Sequence, residues 1–118
     1  MLNTQTRQEG NASVVTIQGK ISSEVTAQLR NVIREAITTQ QSKLLVINLE
    51  GVDYIDSSGL GLLVAVRQNM DHSSGKLHLC GITPRVKKTI DQVNMADYFS
   101  IFTSEEDALG LEDQPRKS

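Results

Sequence analysis

The chain has 118 residues, a formal net charge of −2 and one cysteine. This length fits one domain, and a lone thiol excludes an internal disulfide or a cysteine-based metal cluster. The only basic cluster, Arg85 to Lys88, is too short to favour nucleic acid, whose phosphates require concentrated positive charge. Cys80 lies among leucines, so we expect a buried structural thiol.

The amino-terminal sequence and the hydropathy of the chain bear on where in the cell the protein is located. No charged segment followed by an apolar run opens the sequence, so we expect no signal peptide. No apolar stretch approaches the roughly 20 residues that span a bilayer. The sequence therefore predicts a cytoplasmic protein without direct membrane insertion.

The first third of the chain predicts a hairpin followed by a helix. The segment Ser13 to Gln18 is rich in β-branched residues and is typical of a strand, with which the polar segment Thr4 to Gln8 can pair in antiparallel fashion. Apolar residues then recur every three or four positions from Ser23 to about Thr39, which indicates an amphipathic helix. Ser22 or Ser23 is the expected N-cap.

The rest of the chain alternates strands with helices. The apolar run Lys43 to Leu49 is typical of a strand covered on both faces, in a sheet with parallel pairing. We expect a loop over Glu50 to Asp56 and a second helix from about Ser57 to His72. The later elements are a strand at Lys76 to Cys80, a helix from Pro84, a strand at Tyr98 to Phe102 and a helix capped by Ser104. This order predicts an α/β sheet with helical cover, and a polar, disordered tail over residues 112–118.

Several catalytic signatures are missing. The sequence has no phosphate-binding loop of the nucleotide hydrolases, and Val64 stands where a dinucleotide fingerprint requires its third glycine. Ser57 and Ser58 do not lie in a Gly-x-Ser-x-Gly segment, and a serine nucleophile would need His72 or His78 as its base. We therefore expect no enzyme, no cofactor and no metal site, with a serine hydrolase as a minor alternative.

The strongest functional signal is the segment Asp56-Ser57-Ser58-Gly59 at the expected start of the second helix. The first amide groups of a helix lack intrahelical acceptors, so a phosphate on either serine would meet hydrogen-bond donors there. Phosphorylation would add about −1.5 to −2 charges beside Asp53 and Asp56. Such a change can repel a bound partner without unfolding the domain.

The same segment is also an ordinary capping sequence, with Asp56 or Ser57 as the cap. Two glycines, Gly59 and Gly61, stand within the first turns, where each weakens a helix by about 1 kcal/mol relative to alanine. That cost suggests a surface which another molecule approaches closely. The tetrapeptide alone leaves the capping and the switching interpretations open.

In these features the chain resembles the STAS domain family, in particular the bacterial anti-sigma-factor antagonists. The resemblance covers roughly Gln5 to Leu109 and rests on the segments Val15–Ile21, Leu45–Leu49 and Val52–Gly61. It implies a single STAS domain over residues 1–111. It also implies an α/β fold with a four- to five-stranded mixed sheet and helices mainly on one face.

The resemblance also implies a function. In the antagonists, the serine directly after the aspartate is phosphorylated, which here is Ser57, with Ser58 as the second choice. The kinase is the binding partner itself, an anti-sigma factor of the histidine-kinase-like ATPase type. The unphosphorylated antagonist binds this partner, the phosphorylated form releases it, and a serine phosphatase restores the first state. The docking residues that the family implies are Ile21, Ser22, Ser23, Glu24, Asp56, Ser57, Ser58, Gly59 and Leu60.

One position departs from the family pattern. Ser22 stands where the antagonists usually carry an aspartate near the phosphoacceptor. A partner switch outside sigma-factor control therefore stays open. So does a STAS scaffold that is never phosphorylated, or a subunit of a lipid-transport or other signalling complex.

Overall fold

The fold begins with the predicted antiparallel hairpin. The computed structural model describes residues 2–40 and 42–110. Strand β1 (Asn3–Glu9) pairs with β2 (Ala12–Ile21), and Gly10 turns the chain between them with a φ of 62°. Glycine adopts this left-handed conformation without steric cost. The hairpin prediction is confirmed, although β2 runs three residues beyond its predicted end at Gln18.

A mixed sheet of five strands forms the centre of the fold, in the order β1-β2-β3-β4-β5. All pairs after the hairpin are parallel. The elements that follow β2 are α1 (Thr26–Gln40), β3 (Leu44–Ile55), α2 (Ser57–His72), β4 (Lys76–Cys80), α3 (Pro84–Gln92), β5 (Ser100–Phe102) and α4 (Glu105–Leu109). Helices connect the successive parallel strands, as parallel pairing requires. The predicted α/β fold with a mixed sheet is confirmed.

The two faces of the sheet are covered unequally. Alternate residues of the central strands, such as Leu45 and Ile47 of β3, pack on one face against α1, α2 and α3. Val46, between them, faces the other way and packs with Cys80 and with Ala108 of α4. Three helices therefore share the larger core and one short helix covers the smaller, which confirms the prediction of helices mainly on one face. Cys80 is buried, as predicted.

The loop predicted over Glu50 to Asp56 is wrong, because β3 continues to Ile55. Its second half pairs with the end of β2 through two register shifts. Gly51 permits this pairing, since a Cβ there would stand 2.7 Å from the Cγ of Gln18. The exposed Glu50 and Asp53 gave the segment a polar appearance, although Val52 lies in the core.

The predicted start of α1 is also wrong. The helix begins at Thr26, and residues 23–25 form a turn in which the Val25 amide donates to the Ser22 carbonyl at 3.0 Å. Ser22 and Ser23 are therefore not its N-cap. The amide of Ser23 instead donates to a carboxylate outside this helix, as described below.

The last strand begins at Ser100 and is therefore shorter than the predicted strand from Tyr98 to Phe102. Tyr98 lies before β5, in a turn where its amide donates to the Met95 carbonyl, and the Arg67 guanidinium lies 4.2 Å from its ring centre. Ser104 caps α4 as predicted, by accepting the amide of Asp107 at 3.1 Å. The predicted tail at 112–118 lies outside the described residues.

Candidate functional site

The candidate site lies where β2 and β3 end side by side. Ile21 and Ile55 form the last pair between these strands. The amide of Asp56 then donates to the Ile21 carbonyl at 3.1 Å. Because the two strands are parallel, the turn that precedes α1 and the first turn of α2 emerge at the same edge of the sheet.

Asp56 joins these two segments through both carboxylate oxygens. Its Oδ1 accepts the amide of Gly59 at 3.0 Å, which makes Asp56 the N-cap of α2. Its Oδ2 accepts the amide of Ser23 at 3.3 Å. The capping interpretation of the sequence is therefore confirmed for Asp56, and the same side chain also fixes the turn before α1.

Gly59 allows α2 to start close to the strands. A Cβ at this position would stand 2.6 Å from Cγ1 of Ile55 and 2.7 Å from Cγ2 of Ile21. Real Cβ atoms do not approach other atoms this closely, so any larger residue would push the helix away. The first turn of α2 is thus held by a hydrogen bond on one side and by close packing on the other.

The structure brings the nine predicted docking residues into one region, at different depths. Ile21, Gly59 and Leu60 are buried beneath the surface of the site. Ser22 and Asp56 are half-buried. The residues that reach the surface are Ser23, Glu24, Ser57 and Ser58.

The hydroxyls of Ser57 and Ser58 lie beside unused backbone donors. The amides of Gly59 and Leu60 are bonded to the side chain and the carbonyl of Asp56, respectively. Within residues 2–40 and 42–110, the amides of Ser57 and Ser58 have no acceptor. They carry the partial positive charge of a helix start, which favours an anion.

Two exposed acidic residues, an exposed aromatic ring and the exposed Lys20 belong to the segments that meet at this edge. Glu24 and Asp53 are exposed, and neither forms an ion pair within the described part of the chain. Tyr54, two residues before Asp56, is 40% exposed and pairs with Lys20 across the strands. Tyr54 was not among the residues predicted from the motif. The sequence feature that could have drawn attention to Tyr54 is its position next to the motif in a chain with few aromatic residues.

The structure does not bring either histidine to the serines. His72 ends α2, about 22 Å along the helix axis from Ser57. His78 lies on β4, on the face that α4 covers, where its Nδ1 is 2.7 Å from the Ala108 carbonyl. Its ring contacts that of Phe102 at a tilt of 41°, with 4.5 Å between the ring centroids. Neither histidine therefore lies where it could serve as the base of a serine nucleophile at this site. Over the described ranges, no three His, Cys, Asp or Glu side chains are grouped as metal ligands.

Among the described residues, the groups whose pKa is shifted lie away from the site, on the face that α4 covers. The Arg7 guanidinium donates to Glu105 at 2.5 Å and, with a hydrogen bond from Asn48, holds the pKa of that carboxyl below its usual range. Burial raises the pKa of the Cys80 thiol to about 11. These groups hold α4 and the sheet together and lie away from the predicted docking residues.

The chain is similar to known regulators in sequence and in fold. It is 26% identical over 96 residues to the anti-sigma F factor antagonist of Paenibacillus polymyxa, which covers 81% of this chain and 82% of that protein. An anti-sigma factor antagonist from Mycobacterium paratuberculosis has a TM-score of 0.84 at 22% identity, covering 97% of this chain and 96% of that one.

The Bacillus protein SpoIIAA has the same fold in two chemical states. Its unphosphorylated form has a TM-score of 0.77 at 22% identity, covering 98% of both chains. Its phosphorylated form has a TM-score of 0.70 at 21% identity, covering 92% of this chain and 98% of that one. At these identities the similarity shows the fold alone.

In the part of the chain that the structure describes, no helix has the length and apolarity to cross a membrane.

The family of the chain follows from a comparison of its sequence with models of protein families. The model described as the STAS domain matches residues 3–108, which is nearly the whole chain. The chain belongs to the STAS domain family.

Proposed function

We propose that this chain is an anti-sigma-factor antagonist that switches partners through phosphorylation of Ser57. The observation that carries the proposal is an exposed hydroxyl at the capped start of α2, beside two unused amide donors. The Paenibacillus relative supports the role, since it is named as an antagonist. SpoIIAA supports the chemistry, since it exists in phosphorylated and unphosphorylated forms.

The switch would act through charge rather than through a change of fold. A phosphoryl group on Ser57 adds about −1.5 to −2 charges to a surface that already exposes Glu24 and Asp53. Like charges brought into a partly desolvated interface cost several kcal/mol, on the order of a thousandfold or more in affinity. A partner whose complementary surface is neutral or acidic, and which binds the hydroxyl form, is therefore released by the phosphorylated form.

In this proposal the chain supplies the acceptor and no catalytic group. The partner is an anti-sigma factor and serine kinase of the histidine-kinase-like ATPase type, which holds the ATP and Mg²⁺. A serine phosphatase reverses the reaction. The docking surface consists of the exposed residues Ser23, Glu24, Ser57 and Ser58 with the half-buried Ser22 and Asp56, and the complex forms in the cytoplasm.

The test uses the anti-sigma factor kinase of the same organism. The protein is incubated with this kinase and ATP, and the modified residue is located by mass spectrometry. We expect one phosphoryl group on Ser57, none on Ser57→Ala and, at completion, one on Ser58→Ala, which keeps the proposed acceptor. Equal incorporation in Ser57→Ala would show that the acceptor is wrong.

A binding measurement separates the switch from a constitutive scaffold. We expect Ser57→Asp to lose most of its affinity for the kinase, while Ser57→Ala retains it. A kinase that binds Ser57→Asp as tightly as the wild type would favour an unphosphorylated STAS scaffold, for which the replacement of the usual aspartate by Ser22 is the supporting observation.

A further inference from the structure

We propose that Gly61 is the point where the docked partner contacts the backbone of α2, so that the absence of a side chain there is a requirement for binding. This inference rests on the proposed function. It concerns which residue selects the partner by shape, whereas phosphorylation of Ser57 decides when the partner is bound.

The structure separates the two glycines of the first turns. Packing within the fold requires a glycine at position 59, because a Cβ there would collide with Ile21 and Ile55. Packing within the fold does not require a glycine at position 61. Its own Cβ would have no atom within 4 Å, the residue is exposed, and its φ lies outside the left-handed range. A glycine inside a helix is less favourable than alanine, so the fold itself would be better served by a side chain at this position.

Gly61 lies on the same side of α2 as the two serines. It stands four residues after Ser57 and three after Ser58, spacings that place side chains above one another on a helix. The distance along the axis from Ser57 is about 6 Å. A standard interface covers about 800 Å² of each partner, a disc of about 16 Å radius. Any partner centred on Ser57 therefore covers Gly61 as well.

The contact at Gly61 is of a particular kind. Without a Cβ, the helix backbone is bare, so main-chain atoms of the partner can approach to about 3.3–3.6 Å, the distance of Cα–H···O contacts. A methyl group would clash with these main-chain atoms and weaken the complex, without changing the geometry of Ser57 in the complexes that still form. The required partner surface is a flat or convex main-chain segment beside the site that receives Ser57.

The test is a change that improves the fold and impairs docking. We expect Gly61→Ala to raise the melting temperature by about 4 °C, because alanine favours the helix. The same change should weaken binding to the purified anti-sigma factor kinase with ADP at least tenfold, with a larger loss for Gly61→Leu. Phosphorylation of Ser57 should show a raised KM and a nearly unchanged kcat. The matched control is Asn69→Ala, an exposed position on the same helix about 18 Å from Ser57, which should bind as the wild type does.

The outcomes distinguish the two proposals. If the wild type binds the kinase, Ser57→Asp releases it and Gly61→Ala binds within twofold of the wild type, the inference about Gly61 is refuted and the proposed function stands. If the wild type does not bind the kinase at all, both fail. If Gly61→Ala lowers the melting temperature, Gly61 has a role within the fold and the inference is also refuted.

Discussion

Replacing Asp56 tests whether one side chain holds the docking region together. Asp56→Ala removes both carboxylate contacts, to the amides of Gly59 and Ser23. Loss of an N-cap costs about 1 kcal/mol, and loss of a hydrogen bond to a charged group costs about 1 kcal/mol more for a half-buried residue. The expected loss in the free energy of unfolding is therefore about 2 kcal/mol.

A second substitution assigns this loss to its two parts. Asparagine is as good an N-cap as aspartate, so Asp56→Asn should keep the bond from the Gly59 amide. Its NH₂ group, however, would face the Ser23 amide, and two donors cannot pair. We expect Asp56→Asn to lose about 1 kcal/mol, roughly half of the alanine effect.

Urea denaturation and amide hydrogen exchange measure these effects. With a slope of about 1.5 kcal/mol per molar urea, the midpoint of Asp56→Ala should fall by more than about 1 M. Exchange at the Ser23 amide should become fast in both variants, whereas the Gly59 amide should stay protected in Asp56→Asn. If Ser23 stays protected in Asp56→Ala, the carboxylate does not join the two segments and the reasoning is refuted.

Three further predictions concern the packing around the site and the opposite face. Gly59→Ala should destabilise the protein by about 1–3 kcal/mol in urea denaturation, because its methyl would press on Ile55, and unchanged stability would contradict the close approach. Glu105→Gln should lower the melting temperature at pH 7 by up to about 4 °C, because it removes the charge that pairs with the half-exposed Arg7. Since that pairing depresses the pKa of Glu105, its stabilisation is present above the unfolded pKa and is lost as the pH falls further, so the difference between variant and wild type should shrink below about pH 4. Cys80 should resist alkylation by iodoacetamide at pH 8 in the native protein and react in urea, since it is buried and its pKa is raised to about 11; rapid native alkylation would contradict its burial.

The sequence predicted the elements whose signals are local. The hairpin, α2 with its cap and the short helix after Ser104 all followed from turn residues, periodicity and capping side chains within a few positions. The extension of β3 to Ile55 did not, because it depends on pairing with the end of β2, more than 30 residues away. For the same reason the sequence placed the start of α1 at Ser23, whose amide is bound by a residue that lies far along the chain.

The candidate site was predicted as a set of residues and not as an arrangement. The motif located the serines, but its two glycines looked equivalent, and only the positions of the neighbouring strands separate Gly59 from Gly61. Likewise, the sequence pattern did not indicate which of the predicted docking residues reach the surface. Ile21 and Leu60 stand next to exposed positions in the sequence, and the sheet edge and the α2 packing bury them.

The cap and the proposed phosphoacceptor are compatible because they use different amides. Asp56 takes the amides of Gly59 and, through its carbonyl, Leu60, which leaves those of Ser57 and Ser58 for an added anion. A phosphoryl group on Ser57 therefore does not have to displace the cap, and the helix dipole favours it by about 0.3–1 kcal/mol, against repulsion by Asp56. These terms are similar in size and opposite in sign, so the phosphorylated protein should unfold in urea within about 1 kcal/mol of the unmodified form. A stability loss of several kcal/mol on phosphorylation would mean that the switch acts by disrupting α2, and the charge mechanism would then be wrong.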